Sequence, residues 1–204
     1  MTQLFFYGHH WQRKLVLWVR PWDQTSIEPM EDAHFTETEK ARQVRSNVKT
    51  MLIVFFDVWG IVHWEFVPPG QTVNQEFYLE VLRRLRENVW RKRPQLWRSG
   101  DWFLHHDNAP AHTALSVIWY LASLGRTIVP LPPHSPDLAP CDFFLFPTMK
   151  KTLKGKRFVT VEEVKTASQE ALNIKLHQFH RCFTQWEKRL DKCIDSNGEY
   201  FEGN

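Results

Sequence analysis

Asp107 closes the run "DWFLHHD", behind the apolar pair Phe103 and Leu104 and two histidines, and Asp142 follows "SPDLAPC", with residues 108–141 between them. In open α/β sheets the carboxyl end of a strand faces the ligand crevice. The helix, short strand and proline-rich loop read between the two aspartates have the length to bring the chain back to that edge. Two carboxylates brought together repel each other, and a divalent cation is the usual resolution. A pair of such ions about 4 Å apart activates a water and stabilises the leaving oxygen of a phosphodiester. A plainer reading stands beside this one, with Asp107 as a turn residue and Asp142 as a helix cap.

His105, His106 and His112 crowd around Asp107 and raise the question of zinc. Alternation along a strand lets His105 and Asp107 share a face while His106 points away. No second His or Cys cluster completes a four-ligand site, so satisfied or solvent-facing histidines are the competing reading. "RRLRENVWRKR" places Arg83, Arg84, Arg86, Arg91, Lys92 and Arg93 around Trp90. Such a cluster suits phosphate contacts, with Trp90 stacking on a base, but a solvated helix face has the same composition. "KKTLKGKR" at 150–157 is a second basic group, and Asp57 belongs to the turn "DVWG".

These residues need elements to hold them. Met51–Phe56 and Ile61–Val67 read as paired strands, the first apolar enough to be buried on both faces. Tyr78, Val81, Leu82, Leu85 and Val89 fall at helical spacing behind a capping Asn74, with Pro94 at the end. "WFLHHD" is a short strand, "HTALSVIWYLASLG" a helix ending at Gly125, and "TIVPLPP" another short strand. Pro140 and Asp142 open a further helix, and Thr160 with Glu163 has capping-box spacing for the next. A last helix covers about residues 179–193. The order describes an α/β domain with a mixed sheet. The segment 1–40 is different: "LVLWVR" is strand-like, and the rest is polar, acidic and proline-punctuated.

A chain of 204 residues that is 43% hydrophobic can build one core. A net charge of +3 is compatible with a polyanionic partner but does not establish one. Three cysteines without a CxxC pair argue against a disulfide framework and fit a reducing compartment. The longest apolar run near the start, Leu15–Val19, is too short for a signal core or a membrane span, so a soluble, intracellular protein is expected.

"HHDNAPAH" and "HSPDLAPCDFFLFP" together resemble the mariner family of DNA transposases, in the Tc1/mariner superfamily. The likeness continues through "KARQVRSNVKTMLIVFFD", "GIVHWEFVPPGQTVNQEFY" and "RCFTQWEKRLDKCIDSNGEYFEG". The chain is also similar to the transposase-derived region of SETMAR-type methyltransferase fusions, which carry Asn where this chain has Asp142. The resemblance implies an RNase H-like fold over 41–204, with 1–40 divergent. It implies cut-and-paste strand transfer with Mg2+ or Mn2+, in which Asp107 and Asp142 are the second and third catalytic carboxylates. It also implies transposon-end and target DNA as partners, a homodimer, and the nucleus as location.

The family's first carboxylate is expected near Gln12 on the opening strand, yet residues 1–22 contain neither Asp nor Glu. "LVLWVR" is expected to take that strand's place without the carboxylate. Asp23, Glu28, Glu31 and Asp32 substitute only if their segment folds back over the site. The family's helix-turn-helix region is also expected to be missing. The expectation is therefore a metal-dependent transposase domain with impaired catalysis. The alternative is a catalytically dead remnant acting only as a DNA-binding or dimerisation module.

Overall fold

The computed structural model describes residues 15–17, 22–23, 50–156 and 158–196. In chain order the strands and helices are β1 (Leu15–Leu17), β2 (Trp22–Asp23), β3 (Met51–Asp57), β4 (Gly60–Val67), α1 (Gln75–Lys92), α2 (Pro94–Ser99), β5 (Trp102–His105), α3 (Leu115–Ser123), β6 (Thr127–Val129), α4 (Phe146–Leu153), α5 (Val161–Ala171) and α6 (Leu176–Asp195). A 3-10 turn at Pro136–Leu138 and a π-helical turn at Cys141–Leu145 precede α4.

β3 and β4 form an antiparallel hairpin closed at Asp57↔Gly60, where Gly60 takes a φ of 112° that other residues rarely adopt. β2 adds antiparallel to the start of β3, with Trp22 opposite Leu52 and Asp23 opposite Met51. β1 runs parallel to β5, Leu15–Leu17 opposite Trp102–Leu104, and β5 runs parallel to β6. β1 also lies against β3, which joins the two ladders into one mixed layer.

Both faces of that layer are covered, and β3 is apolar from Met51 to Phe56. Its odd members Ile53 and Phe55 pack with Tyr78, Val81, Leu82, Leu85 and Val89 of α1 and with α2 and α3. Its even members Leu52, Val54 and Phe56 pack with Leu145, Met149, Cys182 and Phe179 under α4, α5 and α6. The period of two along a strand thus divides the core into two helical layers.

Several elements differ in extent from the sequence reading. Pro94 does not simply end α1; it occupies the first turn of α2, where its fixed φ and missing N–H are tolerated. β5 stops at His105, so Asp107 sits just beyond the strand. α3 begins at Leu115 rather than at His112, because residues 107–112 are occupied by a tight turn. The last helix starts earlier, at Leu176. All three cysteines are free thiols, and no described helix is long and apolar enough to cross a membrane.

Candidate active site at the end of strand β5

The turn after β5 is built around the Asp107 carboxylate. Its Oδ1 accepts the backbone N–H of Ala109 at 3.1 Å and the Nδ1–H of His112 at 2.5 Å. The His112 N–H donates to the Ala109 carbonyl, which closes the loop over Pro110. Burial pushes the Asp107 carboxyl pKa up, but the His112 bond and charge, the Ala109 N–H and His106 outweigh it and hold it below the ordinary range. Asp107 is therefore an anion fixed in one orientation, with a side chain that is still 22% exposed.

The three histidines take separate roles. His112 is fully buried, 4.0 Å from the Tyr78 ring and stacked on His106 at 5.3 Å. His106 shares a hydrogen bond of 3.0 Å with the Tyr78 hydroxyl. His105 turns to the other face, donating from Nδ1 to the Val129 carbonyl and lying 5.1 Å from the Trp186 ring. Burial pushes His105 down to about 4 and, reinforced by His112 and His105, pushes His106 down to about 3, so both are neutral in ordinary buffers. Each Nδ1 is committed to a protein partner. Among the described residues no group of three or more His, Cys, Asp and Glu side chains is placed to hold a metal.

Asp142 is positioned by a different device. Asn108 donates to the Leu131 carbonyl and Trp186 Nε1 donates to the Leu138 carbonyl, while His105 holds Val129. These bonds pin the proline-rich loop between the end of β5 and α6, and Asp142 follows four residues after Leu138. Its N–H donates to Ala139, and it lies inside the π turn, where the Phe146 N–H reaches back to Cys141. Pro147 explains the wider turn, since it has no N–H for the carbonyl of Phe143 and an interior helix cannot close normally ahead of it. The spacing Pro140 to Pro147 was the available signal for this irregularity.

The sheet has two distinct ends. Tyr78 near the start of α1 meets His106, while Arg93 just past its end meets Asp57. The step from Tyr78 to Arg93 is fifteen residues along α1, roughly 22 Å at 1.5 Å per residue. Asp57 therefore lies far from Asp107. Its carboxylate accepts from Arg93 at 2.6 and 2.9 Å and from the Trp59 N–H at 2.9 Å, which agrees with the turn reading. Asp23, paired with the first residue of β3, lies at the Asp107 end of the sheet.

A family model described as "Transposase (partial DDE domain)" matches residues 30–99. The chain is 37% identical over 167 residues to the mariner Mos1 transposase of Drosophila mauritiana, covering 81% of this chain and 48% of that protein. It is 32% identical over 155 residues to the human histone-lysine N-methyltransferase SETMAR, covering 76% of this chain and 23% of that one. The structure of the Mos1 catalytic domain with Raltegravir and Mn superposes with a TM-score of 0.75 at 31% identity, over 92% of this chain and 84% of that one. The chain belongs to the mariner family of transposases.

It matches the mariner catalytic domain, and its mixed sheet between two helical layers is the RNase H-like fold that the sequence resemblance implied. The chain spans less than half the length of either curated relative. In this mariner domain the basic residues of α1 are largely engaged already. Arg84 forms a two-pronged bridge to Glu65 at 2.7 and 2.8 Å, Arg93 holds Asp57, and Arg83 pairs with Glu80. Lys92 donates to the Val62 carbonyl and Arg91 to Asn88. Arg86 lies over the Trp97 ring and Trp90 is exposed. The structure thus divides one charge cluster into clamps and outward-facing groups, a distinction that composition alone does not carry.

Proposed function

We propose that this domain carries out mariner-type, metal-dependent cleavage and transfer of DNA strands, with Asp107 and Asp142 as metal ligands and at a reduced level. The observation that carries the reading is Asp107: an oriented, anionic carboxylate at the carboxyl end of β5, next to the strand β1. A hard oxygen donor of this kind fits Mg2+ or Mn2+. When bound, such a metal supplies Lewis acidity toward a phosphodiester and its attacking water. The chain's own residues do the rest. His112 fixes the Asp107 rotamer, the buried Tyr78–His106 pair supports His112, and the pinned loop carries Asp142 toward the same edge.

The reduced level follows from β1, whose Leu15-Val16-Leu17 places no carboxylate beside β5. A third ligand is then left to water or to an acid of the leading segment: Asp23, whose backbone pairs with Met51 at the same end of the sheet, or Glu28, Glu31 and Asp32, which lie outside the described residues. Residues 41–204 form the catalytic unit in this reading, with 1–40 as its divergent leading segment. Transposon-end and target DNA are the partners, two copies act together, and the nucleus is where that substrate lies.

Nicking of supercoiled plasmid in Mn2+ tests the reading. Asp107→Ala and Asp142→Ala should each lower the rate by about a hundredfold or more, the scale of removing charge stabilisation at a transferring phosphate. Equal nicking by both variants and the parent chain would instead favour the second reading, a catalytically dead DNA-binding or dimerisation module. The carboxylate-free β1 is the observation on that side.

A further inference from the structure

At the end of the sheet away from Asp107, α1 and α2 meet at Pro94 and leave a surface rich in tryptophan and arginine. Trp90 is 61% exposed there. Arg86, Glu87, Trp90 and Trp97 line a depression of about 330 Å³. A second, of about 250 Å³, adjoins it across Trp90 and Trp97 and is edged by Arg91 and Arg98. The Arg86 guanidinium lies 5.9 Å from the Trp97 ring centroid, which holds that ring and the charge together.

Charge decides what this surface suits. Arg83, Arg84 and Arg93 are neutralised by Glu80, Glu65 and Asp57. Arg86, Arg91 and Arg98 have no carboxylate partner among the described residues, and Glu87 is the one acid lining the depressions. An exposed indole costs apolar hydration unless something covers it, and three unneutralised guanidinium groups favour a polyanion as the cover. Duplex DNA keeps its base faces stacked within the helix. A single strand offers both phosphates and a free aromatic face to Trp90.

We infer that the Trp90–Trp97 surface is a binding site for single-stranded nucleic acid, with Trp90 stacking on a base and Arg86, Arg91 and Arg98 contacting phosphates. The site is separate from the carboxylates, so it holds a strand segment other than the one at Asp107. The inference rests on the reading of the chain as a DNA-handling domain, but not on its catalysis.

The test is anisotropy of a dye-labelled oligothymidylate with the full chain, in EDTA and across a salt series. Without divalent metal, a loss of this surface and a loss of cleavage are read apart. Trp90→Ala should weaken binding about five- to hundredfold, the range for one lost base stack, and Trp90→Phe should keep most of the affinity. The double change Arg86→Ala with Arg98→Ala should lower the salt slope by about 1.4, from two lost phosphate contacts on a single strand. Parent-like affinity and slope in these variants would overturn the inference. So would a Trp90→Ala chain that loses self-association in sedimentation while binding the oligonucleotide unchanged, which would make the surface a protein interface.

Discussion

Arg93 and Asp57 show how a single contact redirects a residue's meaning. The Asp57 side chain has 0% exposure, and burial pushes its carboxyl pKa up against the lowering influence of Arg93 and the Trp59 N–H. Arg93→Ala would strand that carboxylate, and the expected loss in thermal or denaturant unfolding is about 3–5 kcal/mol. Without Arg93 the folded carboxyl pKa rises further above its unfolded value, so the deficit should be largest at neutral pH and shrink as acid protonates Asp57. A deficit under about 1 kcal/mol would mean the pair is solvated like a surface bridge. "DVWG" was legible as a turn because Asp and Gly carry the local geometry. The partner of Asp57 was not legible, since nothing local singles out Arg93 from its five basic neighbours. His112 is similar: its spacing from Asp107 was visible, but its bond to that carboxylate depends on the turn at Pro110.

β4 and α1 are joined along their length by polar contacts as well as by core packing. Glu65 accepts from Arg84 and His63, and Asn88 bridges His63 to the helix backbone. Burial raises the Glu65 pKa, but the His63 and Arg84 bonds and charges outweigh it and hold the carboxyl down to about 2. Its folded pKa is depressed, so its stabilisation is present above the unfolded value near 4.5 and is lost as pH falls from there toward 2. Glu65→Gln should cost about 1–3 kcal/mol at pH 7 in urea titrations, discounted for the partly exposed Arg84, and almost nothing near pH 2. A deficit independent of pH would place the effect in packing instead. At this scale the sequence was readable where a period or a cap speaks: α1 with Asn74, α5 with Thr160, and the twice-buried β3. It was less readable where tertiary bonds set the limits, as at the early stop of β5, the late start of α3 and the π turn around Asp142.

Across the whole molecule, the sheet separates two kinds of chemistry. Asp107, the loop pinned by Asn108 and Trp186, and the backbone of Asp23 lie at one end. Arg93, Trp90 and Trp97 lie at the other. The family motifs were strong enough to announce the fold before any coordinates, because they combine loop, turn and helix signals that only a shared architecture brings together. The partition of the basic helix was not announced, because it depends on which arginines find acids on β3, on β4 and on α1 itself. The central claim is that Asp107 and Asp142 jointly hold a divalent cation. Electron paramagnetic resonance of Mn2+ titrated into the full chain tests it most directly, without any need for turnover. Asp107→Asn and Asp142→Asn should each weaken Mn2+ binding by about tenfold or more, since affinity follows the count of charged oxygen ligands. Mn2+ bound equally well by the parent chain and both variants would contradict the account.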